Sequence, residues 1–143
     1  GMQSDAPPGG DGQMDGVVTS GSYAAWQIIG GLNRIRIARI DTDTCFAIQL
    51  LNPGTNSSAL TLPADWAFEF ARAVQPIGAC NPAYLGPISN MFEASDATGT
   101  ITWTASGTPM LIENVQVTLT FANPPMWCPP STTLSATNLE VAN

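Results

Sequence analysis

The residues with the clearest chemical potential lie at 40–45, in the stretch I-D-T-D-T-C. Two carboxylates one residue apart, Asp41 and Asp43, close an apolar run, R-I-R-I-A-R-I. Such a pair can divide phosphoryl transfer between a nucleophile and a general acid/base, or open a metal site. Phosphoryl transfer also needs a later cation to neutralise the transferred group, and further acids to hold Mg²⁺. The chain has no Lys, and its only Arg beyond residue 39 is Arg72, on an expected strand.

The run I-A-R-I-D-T-D-T resembles the first motif of haloacid-dehalogenase-type phosphatases, which would make Asp41 the nucleophile and Asp43 the acid/base. The resemblance covers about eight residues and implies a parallel sheet with helices, because a short motif counts only in its structural context. No convincing amphipathic helix can be read in this chain. Asp and Thr also favour turns, since their side chains bond nearby backbone. D-T-D-T is therefore expected to join a strand ending at Ile40 to one starting at Cys45, with Asp41 or Asp43 in a weak pair with Arg39.

Other chemistries fare no better. With no His in the chain, Ser-His-Asp catalysis is excluded, a zinc site is disfavoured, and Cys128 in W-C-P-P has no base to activate it. Glu69, Glu93, Asp96 and Glu113 include no pair singled out by spacing for glycosidase work. Asp11-Gly12 and Asp15-Gly16 lack the rest of a calcium loop. No catalytic residue, cofactor or metal ligand is expected, and a carboxylate-based hydrolase stands third among the readings.

Composition sets the frame. The 143 residues fit one domain. Only 10% are charged, and the formal net charge is −7. The balance argues against nucleic acid, for want of a basic patch, and disfavours anionic membrane surfaces for the same reason. No apolar run reaches the roughly 18 residues of a spanning helix. A surface of Thr, Ser, Asn and Gln without Lys leans toward export. Three cysteines, Cys45, Cys80 and Cys128, suit one disulfide and one leftover thiol in an exported protein. The start Gly1-Met2 reads as the remnant of tag cleavage, so the missing export signal does not argue for the cytoplasm.

The positioning elements are strands. Residues 1–16 are rich in Gly, Pro and Asp and poor in apolar side chains, and read as a flexible tether. From 17 to 143 the period is two. Alternation places Ala24, Trp26 and Ile28 on one face; then Ile35 and Ile37 opposite Arg34 and Arg36; then Phe46, Ile48 and Leu50 opposite Cys45, Ala47 and Gln49. Trp66, Phe68 and Phe70 follow, then Ile101 and Trp103. Val115, Val117, Leu119 and Phe121 make the cleanest strand, and a short one near 138–141 closes the domain. Residues 75–97, broken by Pro76, Pro82 and Pro87, read as irregular. The expected fold is all-β, a single antiparallel β-sandwich of about seven or eight strands, with Trp26, Trp66 and Trp103 in the core.

Parity leaves Tyr23, Tyr84 and Trp127 uncommitted. Tyr84 and Trp127 lie in Pro-rich loops that could converge as a sugar-stacking surface. A carbohydrate-binding module is thus the second reading, with loop aromatics capping the core as the structural alternative.

A longer pattern runs through W-Q-I-I-G-G-L-N-R-I-R-I, T-C-F-A-I-Q-L-L-N-P-G, L-P-A-D-W-A-F-E, Cys80, G-T-I-T-W and V-Q-V-T-L-T-F. It resembles a family of small lipoproteins from myxobacteria and related bacteria, over residues 23–142. The resemblance implies an export signal, a Gly/Pro/Asp-rich tether and one β-rich domain, with a lipid anchor on a Cys upstream of this sequence as its only membrane attachment. It also favours a disulfide between Cys45 and Cys80. The layout agrees: if strands 45–51 and 66–74 pair antiparallel, Cys80 lies just past the end that meets Cys45. Cys80 with Cys128 is the alternative. The resulting expectation is a non-enzymatic exported domain, periplasmic, outer-membrane-anchored or extracellular, with a structural or binding role toward an unknown protein or glycan.

Overall fold

The computed structural model describes residues 21–28, 34–51, 57–62, 68–104 and 111–142. The expected tether at 1–16 and Trp66 lie outside them. The described residues form β1 (Ser22–Ile28), β2 (Arg34–Ile40), β3 (Cys45–Leu51), β4 (Ser57–Leu62), β5 (Phe68–Gln75), β6 (Asn90–Glu93), β7 (Asp96–Thr104), β8 (Leu111–Thr120) and β9 (Ser131–Ala142). A single turn of 3-10 helix, Ile77–Cys80, follows β5.

The fold is all-β, as the alternation implies. All nine strands join one sheet in the order β4-β7-β8-β9-β1-β2-β3-β5-β6. Every pairing is antiparallel except β1 with β9, which run parallel through Ala25↔Val141 and Trp26↔Ala142. This narrow seam makes the fold a curled half-barrel rather than two separate sheets. Ile37, Phe46, Ile48 and Ala71 on one side of the seam share a core with Ile101, Trp103, Val117, Leu119 and Leu134 on the other. Phe121 reaches across, its ring centroid 6.2 Å from those of both Phe46 and Phe92. Each Leu, Ile or Phe taken fully out of water contributes roughly 1.5–3 kcal/mol, which drives the curl.

Two irregularities bend the sheet. Between β3 and β5 the register shifts at Gln49/Leu50, so that Glu69 is the extra residue between Phe68 and Phe70. Between β7 and β8 it shifts at Thr102/Trp103, which leaves Glu113 bulged. In β9, Asn138 beside that bulge takes a positive φ of 52°. Bulges bend and twist the strand that carries them. Here they also change phase: Val115, Val117 and Leu119 face the core, and so does Ile112 three residues before Val115. Gly99, with φ of 143°, lies so close to the Gln116 carbonyl that a Cβ there would overlap it.

The expected faces need correction in two strands. In β1 it is Ala25 that enters the main core, while Trp26 lies on the opposite face. In β5 Ala71 and Ala73 face the core, and Phe70 faces outward. The reason is that β3 is buried on both sides. Its outer face carries a second apolar cluster of Ala38, Cys45, Ala47, Val74 and Cys80, covered by Trp26, Ile40, Phe70 and Ala79. Residues 75–97, expected to be irregular, contain the 3-10 turn, β6 and the start of β7.

Candidate functional site

The stretch I-D-T-D-T-C is the β2–β3 turn. The Asp41 amide donates to the Thr44 carbonyl at 3.0 Å, closing the hairpin between Ile40 and Cys45. Gln75 Nε2 donates to Thr44 Oγ1 at 2.8 Å, and Thr44 Oγ1 to Asp43 Oδ1 at 3.1 Å.

Asp41 does more than turn the chain. Arg39 shares parity with Ile35 and Ile37 and therefore points inward, where it is only 1% exposed. A buried guanidinium must be paired to be tolerated. Its Nε and Nη2 donate to the two carboxylate oxygens of Asp41, each at 2.9 Å. Nη1 donates to the Thr133 carbonyl at 2.7 Å, and the guanidinium carbon lies 4.8 Å from the centre of the Phe46 ring. The pair is thus partly buried, in contrast to the weak surface contact expected from sequence. Gly21 lies against Asp41 with φ of 135°, and a side chain there would collide with Asp41 Oδ1. Tyr23, the cross-strand neighbour of Arg39, accepts the Ser135 amide at 2.8 Å. Burial pushes the Tyr23 hydroxyl above its ordinary pKa, with the Ser135 bond and Arg39 offsetting part of the shift.

Over this pair opens a cleft of about 180 Å³, lined by Arg39, Asp41, Asp43, Phe46, Trp127 and Thr132 among others. Trp127 is held there by the loop between β8 and β9. That loop is braced by Phe121 N–H to the Pro130 carbonyl at 2.8 Å and Cys128 N–H to the Pro125 carbonyl at 3.0 Å. The ring packs partly on the main core and also lines the cleft. The cleft is smaller than drug-sized pockets of roughly 300–1,000 Å³. It offers two aromatic rings, Phe46 and Trp127, beside the Asp43 carboxylate.

Tyr84 belongs elsewhere. Its hydroxyl donates to the Pro87 carbonyl at 2.6 Å, and its ring lies against Gly78 and Gly86 in the loop after β5. That loop is tied to the outer face of β3 by the disulfide, whereas Trp127 stands on the Phe46 side. The two rings therefore do not form one surface.

Cys45 and Cys80 are disulfide-bonded, with Cα atoms 6.2 Å apart. Cys128 is free and buried. Burial pushes its thiol up to about 11, so it is neither thiolate nor nucleophile near neutrality. Among the described residues no group of three or more acids or cysteines is placed to hold a metal. Among them, too, no helix is long and apolar enough to cross a membrane.

Sequence reasoning took Arg39 only as a weak surface partner and missed Thr132; both are buried and both line the cleft. The signal for Arg39 was its phase: odd-numbered like Ile35 and Ile37, and two residues before an aspartate on the same face.

No protein-family profile, no characterised relative and no solved structure matches the chain.

Proposed function

We propose that this is a non-enzymatic, exported domain of a bacterial envelope or surface, with a structural or binding role. The observation that carries the reading is the state of Asp41. Both of its oxygens are held by Arg39, so the more buried acid of the D-T-D pair braces the fold instead of exchanging protons with a substrate. The Cys45–Cys80 disulfide suits an oxidising compartment, and the strand-pattern resemblance to small bacterial lipoproteins supports the same location. Fractionation of the native host, with non-reducing peptide mapping, tests this. Envelope or extracellular protein with Cys45 oxidised is expected; reduced protein in the cytosol rejects it.

A carbohydrate-binding role is the second reading, favoured by Trp127 beside Asp43 in the cleft. A ring face next to a hydrogen-bond acceptor suits a sugar's apolar face and hydroxyls. A neutral glycan should quench tryptophan emission saturably in the wild type and not in Trp127→Phe. Equal quenching in both proteins would place the sugar away from this cleft.

A further inference from the structure

Three of the four arginines, Arg34, Arg36 and Arg72, lie on the outer face of β2 and β5. They are not equivalent. Arg34 Nε lies 2.8 and 2.9 Å from the two oxygens of Glu69, which also accepts Gln49 Nε2 at 2.9 Å. The Gln49 bond and then Arg34 hold the Glu69 carboxyl below its ordinary pKa, against a burial effect of opposite sign. That pair is complete.

Arg36 and Arg72 are not matched in this way. Arg36 donates from Nε to the Gln49 amide oxygen at 2.8 Å and from Nη1 to the Cys80 carbonyl at 2.9 Å. Both acceptors are neutral. Among the described residues Arg72 pairs with Glu93 at the long distance of 3.8 Å, and that carboxylate is 54% exposed. The two guanidiniums gather on one ring, with their central carbons 5.4 and 3.8 Å from the Phe70 centroid. They are near enough to repel: burial lowers the Arg36 pKa, and the charge of Arg72 lowers it further.

An anion between two like charges relieves their repulsion, and planar guanidiniums suit oxyanions because their N–H groups present a fixed fork. The frame here is rigid. Gln49 bridges Arg36 to Glu69, and the Cys80 carbonyl that fixes Arg36 is anchored by the disulfide. We propose that Arg36 and Arg72 on Phe70 form a binding site for an oxyanion group: a carboxylate, sulfate or phosphate, free or carried on an acidic polymer. Arg36 is the fixed, half-buried donor. Arg72 is the outer donor and closes over the anion from the Glu93 side. The site faces away from the Trp127 cleft, so it stands or falls independently of sugar binding there.

The arginine Nε–H signals of the oxidised full chain, followed by ¹⁵N NMR at constant ionic strength, test this. Sodium sulfate replacing chloride gives one arm, and polygalacturonate, a chain of carboxylates, the other. Saturable shifts of Arg36 and Arg72, with Arg34 and Arg39 unmoved, are expected in at least one arm. Saturation by sulfate marks a free-anion site; saturation by the polymer alone marks a polymer-borne one. Arg72→Gln should weaken the dissociation constant at least tenfold while near-UV circular dichroism stays unchanged, and Arg72→Lys should restore part of the loss. No saturation in either arm, or shifts shared by all four arginines, or undiminished binding by Arg72→Gln, overturns the proposal.

Discussion

Replacing Asp41 by Asn keeps the size of the side chain and removes the charge that answers Arg39. An ion pair in open water contributes roughly 0–1 kcal/mol. Removing one partner of a fully buried pair costs about 3–5 kcal/mol, because the other charge is left uncompensated. Here the Arg39 side chain is 1% exposed and the Asp41 side chain 26%, so the cost falls between these limits. Arg39 also keeps the Thr133 carbonyl and the Phe46 ring, which places D41N at about 2–3 kcal/mol, on the scale of those two limits. With roughly 2.1 cal/mol/K of unfolding entropy per residue, a chain of this length loses about 8 °C in Tm. Urea unfolding with the disulfide intact measures the free energy directly. D43N is the control, since Asp43 accepts only the neighbouring Thr44 hydroxyl among the described residues, and it should cost about 0.5 kcal/mol or less, as surface changes do. A cycle through R39M and R39M/D41N should show coupling of at least about 1.5 kcal/mol. If D41N lies within error of D43N and the coupling vanishes, the pair is solvated and the reading of Arg39 as a buried cation is wrong.

Reduction of Cys45–Cys80, which spans 35 residues, should lower the urea-derived stability by about 3–4 kcal/mol on the loop-entropy scale; an unchanged midpoint in dithiothreitol would contradict it. Gly99→Ala should cost about 2 kcal/mol or more, because the new Cβ meets the Gln116 carbonyl at a φ suited to glycine; a Tm equal to wild type would count against that contact. Cys128 should resist a disulfide-exchange reagent in the native protein and react at once in denaturant. Its thiol is raised from 9.0 to about 11, so the unfolded chain loses the proton first, and stability should fall as pH rises from 9 through 11. Prompt native labelling, or a flat alkaline profile in comparison with Cys128→Ala, would refute the burial of this thiol.

The strands were legible where one face alone is apolar. In β8, Val115, Val117 and Leu119 alternate with polar residues and face the core. Period two says which residues share a face but not which face is inside. In β1 and β5 the larger rings, Trp26 and Phe70, were expected inward, yet alanines go there. The disulfide cluster gives the outer face an apolar cover of its own, and Phe121 from the facing half packs toward Phe46 in the core the alanines share. β9 was visible only near its end. Its apolar residues Leu134, Leu139 and Val141 change phase at Asn138, where φ is positive, and nothing in the alternation of S-T-T-L-S-A-T-N-L-E-V-A announces that change. The turn at Asp41 and the bond from Cys45 were accessible from spacing and resemblance. The inward arginine was not, because a charged side chain in an alternating run is ordinarily assigned to solvent.

The parallel seam between β1 and β9 also sets how the domain answers a mechanical load. Tension applied at Ser22 against Ala142 pulls two parallel neighbours past each other, along their length. The inter-strand bonds at Ala25↔Val141 and Trp26↔Ala142 are then sheared together instead of unzipping one at a time. Few bonds share the force, and behind them lies the whole apolar core that joins the two halves. A domain held at one end and pulled at the other would stay closed up to a threshold and then part along this line. The half carrying the disulfide would keep its Cys45–Cys80 link while the half built from β7, β8 and β9 came away.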